Sequence, residues 1–381
     1  MRITHLCLAC FFPDGYSYQE NMLPKYHKEL GHDVSVVASL QTFDENGNVS
    51  YIEKACEYRN EYDIPVQRLD YRKPLKFYRK MKRFVGTYEA IEKTRPDVLF
   101  IHGCQFLDMN EVVRYVRKHP SVKVFVDNHA DFSNSATGWF SLNILHKIVW
   151  KRCAHRIEPY ASKFFGVLPA RVDFLKNVYG VPGEKTELLV MGSEDDKVRA
   201  SLEPGRKAAN RKRFGLGDDD FVVVFGGKVD KAKTQVLLLM DAVNSIPDES
   251  VKLVVFGSII PEMKEALMSR CGERVQYIGW ATPEQSYDYF CMADVVCFPG
   301  RHSVYWEQVA GMGIPLIVRK WDGTTHVDVC GNALFLTEDS AEEIGRKILE
   351  IKDNYSDFRS RAETAGKEFM YSSIAERSLK D

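Results

Sequence analysis

The sequence predicts two α/β domains in tandem, each a doubly wound parallel sheet. Three observations carry this expectation. Short, nearly continuous apolar runs alternate with longer amphipathic ones, as strands buried on both faces alternate with crossover helices. The alternation begins twice, at the N-terminus and again just after residue 219. Between the halves lies a charged stretch, 194–219, without a strong apolar period. A linker and the first helix of a second domain belong there.

In the first half ITHLCLAC, DVSVVAS, DVLFIHG and KVFVDN read as strands. A helix over 19–30 stops at Gly31, where a left-handed C-cap would stop it. In the second half FVVVFGG, KLVVFGS, VQYIGW, DVVCFPG and IPLIVRK read as strands, with helices over 234–245, 260–271, 283–292, 304–312 and 341–354. Sheets of this kind bind ligands beyond the carboxyl ends of their strands, here in a cleft between the domains. A two-domain binding protein or a dehydrogenase would share that much.

Composition narrows the classes. A chain of 381 residues is long enough for two domains. Its formal net charge of −1 offers no overall attraction to nucleic acid, so none is expected as a partner. No apolar run approaches the length of a membrane-spanning helix. The N-terminal run meets Pro13-Asp14-Gly15 where a signal peptide would need its cleavage site, so the expected location is cytoplasmic. Cys7 and Cys10 form a C-x-x-C, but no second pair or histidine follows at zinc spacing, and free thiols are the better reading.

The second half is the more informative. VVVFGGKVDKAKTQVLLLMDAV reads as a strand, a glycine turn, two spaced lysines and a helix. Lys228 leaves the turn beside Gly227 and Lys233 precedes the helix, so together they can hold a diphosphate next to helix N-terminal amides. The P-loop pattern is absent. So is G-x-G-x-x-G, which disfavours a nicotinamide dehydrogenase. Further on, CFPGRHSVYWEQVAGMGIPLIV exposes Arg301, His302 and Ser303 on a turn. Glu307 follows in the first helical turns, where a carboxylate can accept both hydroxyls of a ribose. For each residue alone, a solvated surface position is the ordinary alternative. The acidic triplet Asp218-Asp219-Asp220 follows FGLG and precedes a strand, and reads as a turn rather than a metal-binding D-x-D.

At this point the chain resembles the retaining GT-B glycosyltransferases of family 4. Gly227-Lys228 and Lys233-Thr234 stand where that family shows G-R and K-G. The run from Glu307 to Leu316 stands where it shows E-A-x-A-x-G-x-P-V. In the first half, FFPDGYSYQENM with Gly15 resembles the family's glycine loop, and VDNHADF presents His129. TELLVMGSEDD occupies the crossing between domains, and FMYSSIAERSLKD resembles the helix that returns to the first one. The resemblance implies a GT-B fold, two Rossmann-like domains facing each other across a cleft. It places an acceptor-side domain over 1–195 with a returning helix near 362–381, and a nucleotide-sugar domain over 196–361. There are departures. Pro299 stands where a first glutamate is usual, which moves its donor-sugar contacts to Arg301, His302 or Ser303, and Lys228 replaces an arginine.

The resemblance further implies transfer of a hexosyl or related sugar from a UDP- or GDP-linked donor to a glycan or lipid-linked acceptor. Configuration would be retained, and the setting would be cell-surface polysaccharide or glycolipid assembly. Lys228, Lys233, His129 and His302 would serve the reaction; Glu307, Gly227, Trp280, Ser303, Arg301 and Gly15 would hold the donor. No cofactor and no metal are expected, since the lysines stabilise the leaving diphosphate. A non-catalytic nucleotide-sugar-binding partner and a nucleotide-sugar epimerase are the alternatives. One cluster remains: Arg72, Lys73, Lys76, Arg79, Lys80, Lys82 and Arg83, with no acid between them. A helix from Pro74 would set Phe77, Met81, Phe84 and Tyr88 on one side, the form of a basic amphipathic helix on an anionic membrane. An ordinary surface helix packed on the first domain is the alternative.

Overall fold

The computed structural model describes residues 1–44, 48–231 and 233–380. They fall into two compact units, one of residues 1–190 with 374–381, the other of 191–373. The chain leaves the first unit after Val190 and returns to it at Ile374. Packing explains the place of the return. The helix Tyr355–Gly366 lies against the second unit so closely that a Cβ on Gly366 would meet the Ala310 carbonyl at 3.0 Å.

The first unit is built on an eight-stranded sheet. Its strands are β1 (Arg2–Cys7), β2 (Asp33–Ser39), β5 (Cys56–Arg59), β6 (Pro65–Leu69), β7 (Val98–His102), β8 (Lys123–Asn128), β9 (Lys163–Gly166) and β10 (Thr186–Leu188); β3 (Gln41–Phe43) and β4 (Val49–Tyr51) form a separate hairpin. The order is β10-β9-β8-β7-β1-β2-β6-β5, parallel except for the β5–β6 pair at the edge. β1 is central, so the order reverses between β1 and β7. The four strands expected here are all present. β5, β6, β9 and β10 are additions, short and partly polar in sequence. Leu6, Ile101, Val126 and Phe164 are fully buried beneath the crossover helices.

The second unit has six strands, all parallel: β11 (Phe221–Gly226), β12 (Val251–Phe256), β13 (Val275–Tyr277), β14 (Val295–Phe298), β15 (Leu316–Arg319) and β16 (Ala333–Leu336). Their order is β13-β12-β11-β14-β15-β16, the two-half arrangement of a dinucleotide-binding sheet, whose switch point lies between its first and fourth strands. β11 is buried along its whole length, as its unbroken apolar run requires. The helix Pro283–Cys291 starts on a complete capping box between Thr282 and Gln285, which fixes the chain entering it from the loop after β13.

Candidate functional site

In the second unit the strand ends nearest the switch point terminate on glycines. Gly227 follows β11 at φ +143, and Gly257 follows β12 at φ +128. A Cβ on Gly257 would lie 1.9 Å from the Gly227 carbonyl oxygen, so the two turns meet backbone to backbone. The Gly227 N–H donates to the Phe256 carbonyl at 3.0 Å, and the Gly257 N–H to the Gly279 carbonyl at 2.8 Å. The floor is glycine backbone, the condition for close approach of a ligand, and the Tyr277 hydroxyl donates to the Gly257 carbonyl at 2.7 Å.

Lys233 borders the floor. Its ammonium would lie 3.9 Å from a Cβ on Gly227, and its Cα 3.8 Å from one on Gly300, in the loop after β14. The fold thus joins the two loops on either side of the switch point, Gly227 from one and Gly300 from the other. Burial lowers the Lys233 pKa, opposed by Asp230 and reinforced by Lys228. Lys228 itself is exposed, its ammonium 3.9 Å from Asp230. Arg301 is exposed as well, and Trp280 is 63% exposed. The Ser303 hydroxyl accepts the Tyr305 N–H at 3.4 Å.

Glu307 is wholly buried. The helix Tyr305–Gly311 aims it inward, where His302 Nε2 lies 2.8 Å and His326 Nε2 2.7 Å from the same oxygen, Oε1. Burial alone would raise the carboxyl pKa. The two imidazoles outweigh it and hold the group at about 2. Oε1 is therefore committed, while Oε2 and His326 Nδ1 are buried without a partner. His326, in the loop between β15 and β16, escaped the sequence reading; a lone histidine in TTHVD carries no local signal.

The first unit gathers its polar groups at the ends of β1, β7 and β8. His102 closes β7 and Asp127 lies near the end of β8, with His102 Nδ1 2.6 Å from Asp127 Oδ2. His129 Nε2 stands 3.5 Å from that oxygen and 3.7 Å from Glu20 Oε1. Behind His102 runs a line of buried imidazoles: His102 Nε2 is 2.9 Å from His5 Nδ1, and His5 Nε2 is 3.0 Å from His27 Nδ1. Burial opposes charge on His102, yet Asp127 raises its pKa to about 9. Burial lowers His27 to about 3 and takes His5 well down. Burial also works against His129, but Glu20 and Asp127 together raise it. Gly15, at φ +76, donates its N–H to Glu61 at 2.8 Å in the loop after β1.

The basic segment departs from expectation. The helix is only Leu75–Met81, ended by Lys82 in the left-handed region at φ 52. Lys82 turns inward to the Ala9 carbonyl. Phe84 consequently leaves the helix, bridges Tyr71 and is fully buried, so it is a core residue and no part of an exposed face. Tyr88 belongs to the next helix, Thr87–Thr94. Phe77 remains 54% exposed, and Lys76 and Arg79 stay near the surface. Arg83 pairs with buried Asp108 at 3.4 Å. Lys80 lies 5.7 Å over the ring of Phe140, next to Trp139, which is 73% exposed. Asp220 accepts the Gly217 N–H at 2.7 Å, the turn expected of the acidic triplet. Among the described residues no helix is long and apolar enough to cross a membrane.

No family model matches the chain, and no curated sequence matches it. Solved structures do. Anabaena HepE in complex with UDP superposes with a TM-score of 0.67 at 16% identity, over 99% of this chain and 98% of that one. Sucrose-phosphate synthase from Thermosynechococcus elongatus gives 0.64 at 17% identity, over 98% and 96%. The fold is GT-B. Within GT-B, the chain also superposes on a UDP-N-acetylglucosamine 2-epimerase from Listeria monocytogenes described as putative, at 0.61 and 15% identity over 99% and 94%.

Proposed function

We propose that this GT-B protein is a glycosyltransferase that takes a sugar from a UDP- or GDP-linked donor. The observation that carries the reading is the β11/β14 switch point, where the Gly227–Gly257 backbone contact is bordered by the Lys233 ammonium and the helix after β14 carries the buried Glu307. A diphosphate suits the floor and Lys233, since glycine lets it approach the backbone and a cation favours the negative charge that grows as the glycosidic bond breaks. Lys228, exposed beside it, supplies a second cation. Glu307 offers the ribose its Oε2, the oxygen left after the histidines take Oε1. His302 acts through Glu307, and Trp280, Arg301 and Ser303 line the donor side. His129 is the sugar contact of the first unit, near the Gly15 loop. Retention, no metal in the transfer step, and a glycan or lipid-linked acceptor complete the reading, as in cell-surface polysaccharide assembly.

Purified protein screened by thermal shift against UDP, GDP, CMP, dTDP, ADP and NAD without metal tests the donor site. Stabilisation by UDP or GDP, lost in Glu307→Ala, is the expected result; stabilisation by NAD alone, or by nothing, overturns it. The superposition on an epimerase favours a second reading, in which the nucleotide-sugar is altered without an acceptor. Incubation of donor alone separates the two by whether an isomerised nucleotide-sugar forms. Attachment to an anionic membrane is part of the proposal. Leu75, Phe77, Trp139 and Phe140 are exposed, and Lys80 joins the two segments across the Phe140 ring. Co-sedimentation with phosphatidylserine vesicles at low salt should be lost in Phe77→Ser/Trp139→Ser; no binding by the unaltered protein would refute attachment.

A further inference from the structure

The line of histidines in the first unit can point its N–H groups in either of two directions. Four contacts run through three imidazoles: Ala375 carbonyl to His27, His27 to His5, His5 to His102, and His102 to Asp127. Both ends only accept, one being a carbonyl and the other an ionised carboxylate. The Ser378 hydroxyl, 2.9 Å from His27 Nε2 and 2.8 Å from the Ala375 carbonyl, has one hydrogen to give to either. Neutral imidazoles bring one N–H each, which suffices when Ser378 donates to His27 and leaves the line one hydrogen short when His27 donates to Ala375. With the N–H groups pointing towards Ala375, the position lacking a hydrogen is His102 Nδ1. In that direction the nitrogen is open to a cation, and a proton is the simplest one.

A second group at the same place also lacks a partner. His129 Nε2 is buried without a hydrogen bond, 3.5 Å from Asp127 Oδ2. His102, Asp127 and His129 each bring one ligand atom, and these lie within 4.8 Å of one another. Tetrahedral zinc bonds of about 2.0–2.2 Å set ligand atoms roughly 3.3–3.5 Å apart. The Asp127–His129 spacing already has that value, and the His102–Asp127 contact of 2.6 Å would open by under about 1 Å. Glu20 Oε1, 3.7 Å from His129 Nε2, is the next donor at hand. Metal-bound histidines ordinarily donate their other ring N–H to a fixed acceptor. His102 does so through His5 and His27 to the Ala375 carbonyl, which keeps its Nδ1 lone pair towards the site.

We propose that the first unit binds a zinc-class divalent cation at His102 Nδ1, Asp127 Oδ2 and His129 Nε2, the ion replacing the proton between His102 and Asp127. The ion takes no part in the group transfer. By occupying His129 it competes with the sugar contact assigned above, and that consequence alone rests on the proposed function. Binding does not.

Chelator-stripped full-length protein titrated with CoCl2 and ZnCl2 tests the site directly. One Co2+ should bind with the visible absorption of a tetrahedral nitrogen and oxygen site, displaced by one Zn2+. His129→Ala and His129→Gln should each weaken binding by about tenfold or more, with far-UV circular dichroism unchanged, while His326→Ala should leave the affinity as it was. Absence of saturable binding overturns the proposal. Retention of affinity in both His129 variants, or its loss in His326→Ala, also does so by placing the ion on the His302, Glu307 and His326 cluster. A thiolate-to-cobalt band overturns it in favour of Cys7 and Cys10. A zinc-binding protein that shows no donor binding would leave this site standing and the proposed function refuted.

Discussion

Replacing Glu307 with glutamine removes the charge at the centre of the second unit's buried cluster while keeping its shape. The carboxyl is held at about 2 against an ordinary 4.5, because two imidazole N–H groups at 2.8 and 2.7 Å more than offset its burial. A carboxyl so depressed contributes roughly 3 kcal/mol to the folded state when ionised in both states. That contribution is complete above pH about 4.5 and is lost as the pH falls towards 2, since the unfolded chain takes up the proton first. Urea unfolding of the original and Glu307→Gln proteins, followed by tryptophan fluorescence, measures the gap at each pH. It should be roughly 3 kcal/mol at pH 7 and should shrink steadily below pH about 4.5. A gap that stays constant or widens on acidification would refute the account of the cluster.

Lys233→Ala should reduce transfer by at least about tenfold with the fold intact, the cost of losing a cation from a developing diphosphate; unchanged turnover would remove the lysine from that role. Gly257→Ala forces a Cβ to within 1.9 Å of the Gly227 oxygen at φ +128, and should cost about 1–3 kcal/mol or more of stability and weaken UDP binding, read by thermal melting with and without nucleotide. Phe84→Ala should destabilise the protein by about 3–5 kcal/mol as a core truncation, whereas Phe77→Ala, at an exposed position, should stay within about 0.5 kcal/mol. Equal effects from the two would contradict the observed end of the helix at Met81.

What could be read from the sequence tracks how strongly each segment is buried on both faces. β11 and β14 announce themselves as unbroken apolar runs, and β12 as a run interrupted only by Lys252, because helices cover both sides of the sheet. β5 lies at an edge and alternates as C-E-Y-R, a pattern too short to stand out from a loop. The helix from Pro74 was legible at its start, where the proline sits, and illegible at its end. No glycine marks that end, and the left-handed residue is Lys82, held by a carbonyl distant in sequence. Lys233 and Gly227 were found because strand, turn and helix follow one another closely. His326 was not, since its partner Glu307 lies 19 residues upstream and only the tertiary fold joins them. The same holds for the imidazole line, whose members come from β1, β7 and the helix Gln19–Glu29.

Because the second unit is inserted between Val190 and Ile374 of the first, the order of synthesis has a consequence for the nascent chain. His27 emerges early, yet the carbonyl that fixes its ring orientation lies 348 residues further along. At about 5–20 residues per second, the interval between the two is roughly 17–70 s. Throughout it the histidines of β1 and β7 can be placed in the sheet, but the direction of their N–H groups is undetermined. The first unit to begin folding is therefore the last to be completed, and the polarity of its interior is set only when the chain comes back to it.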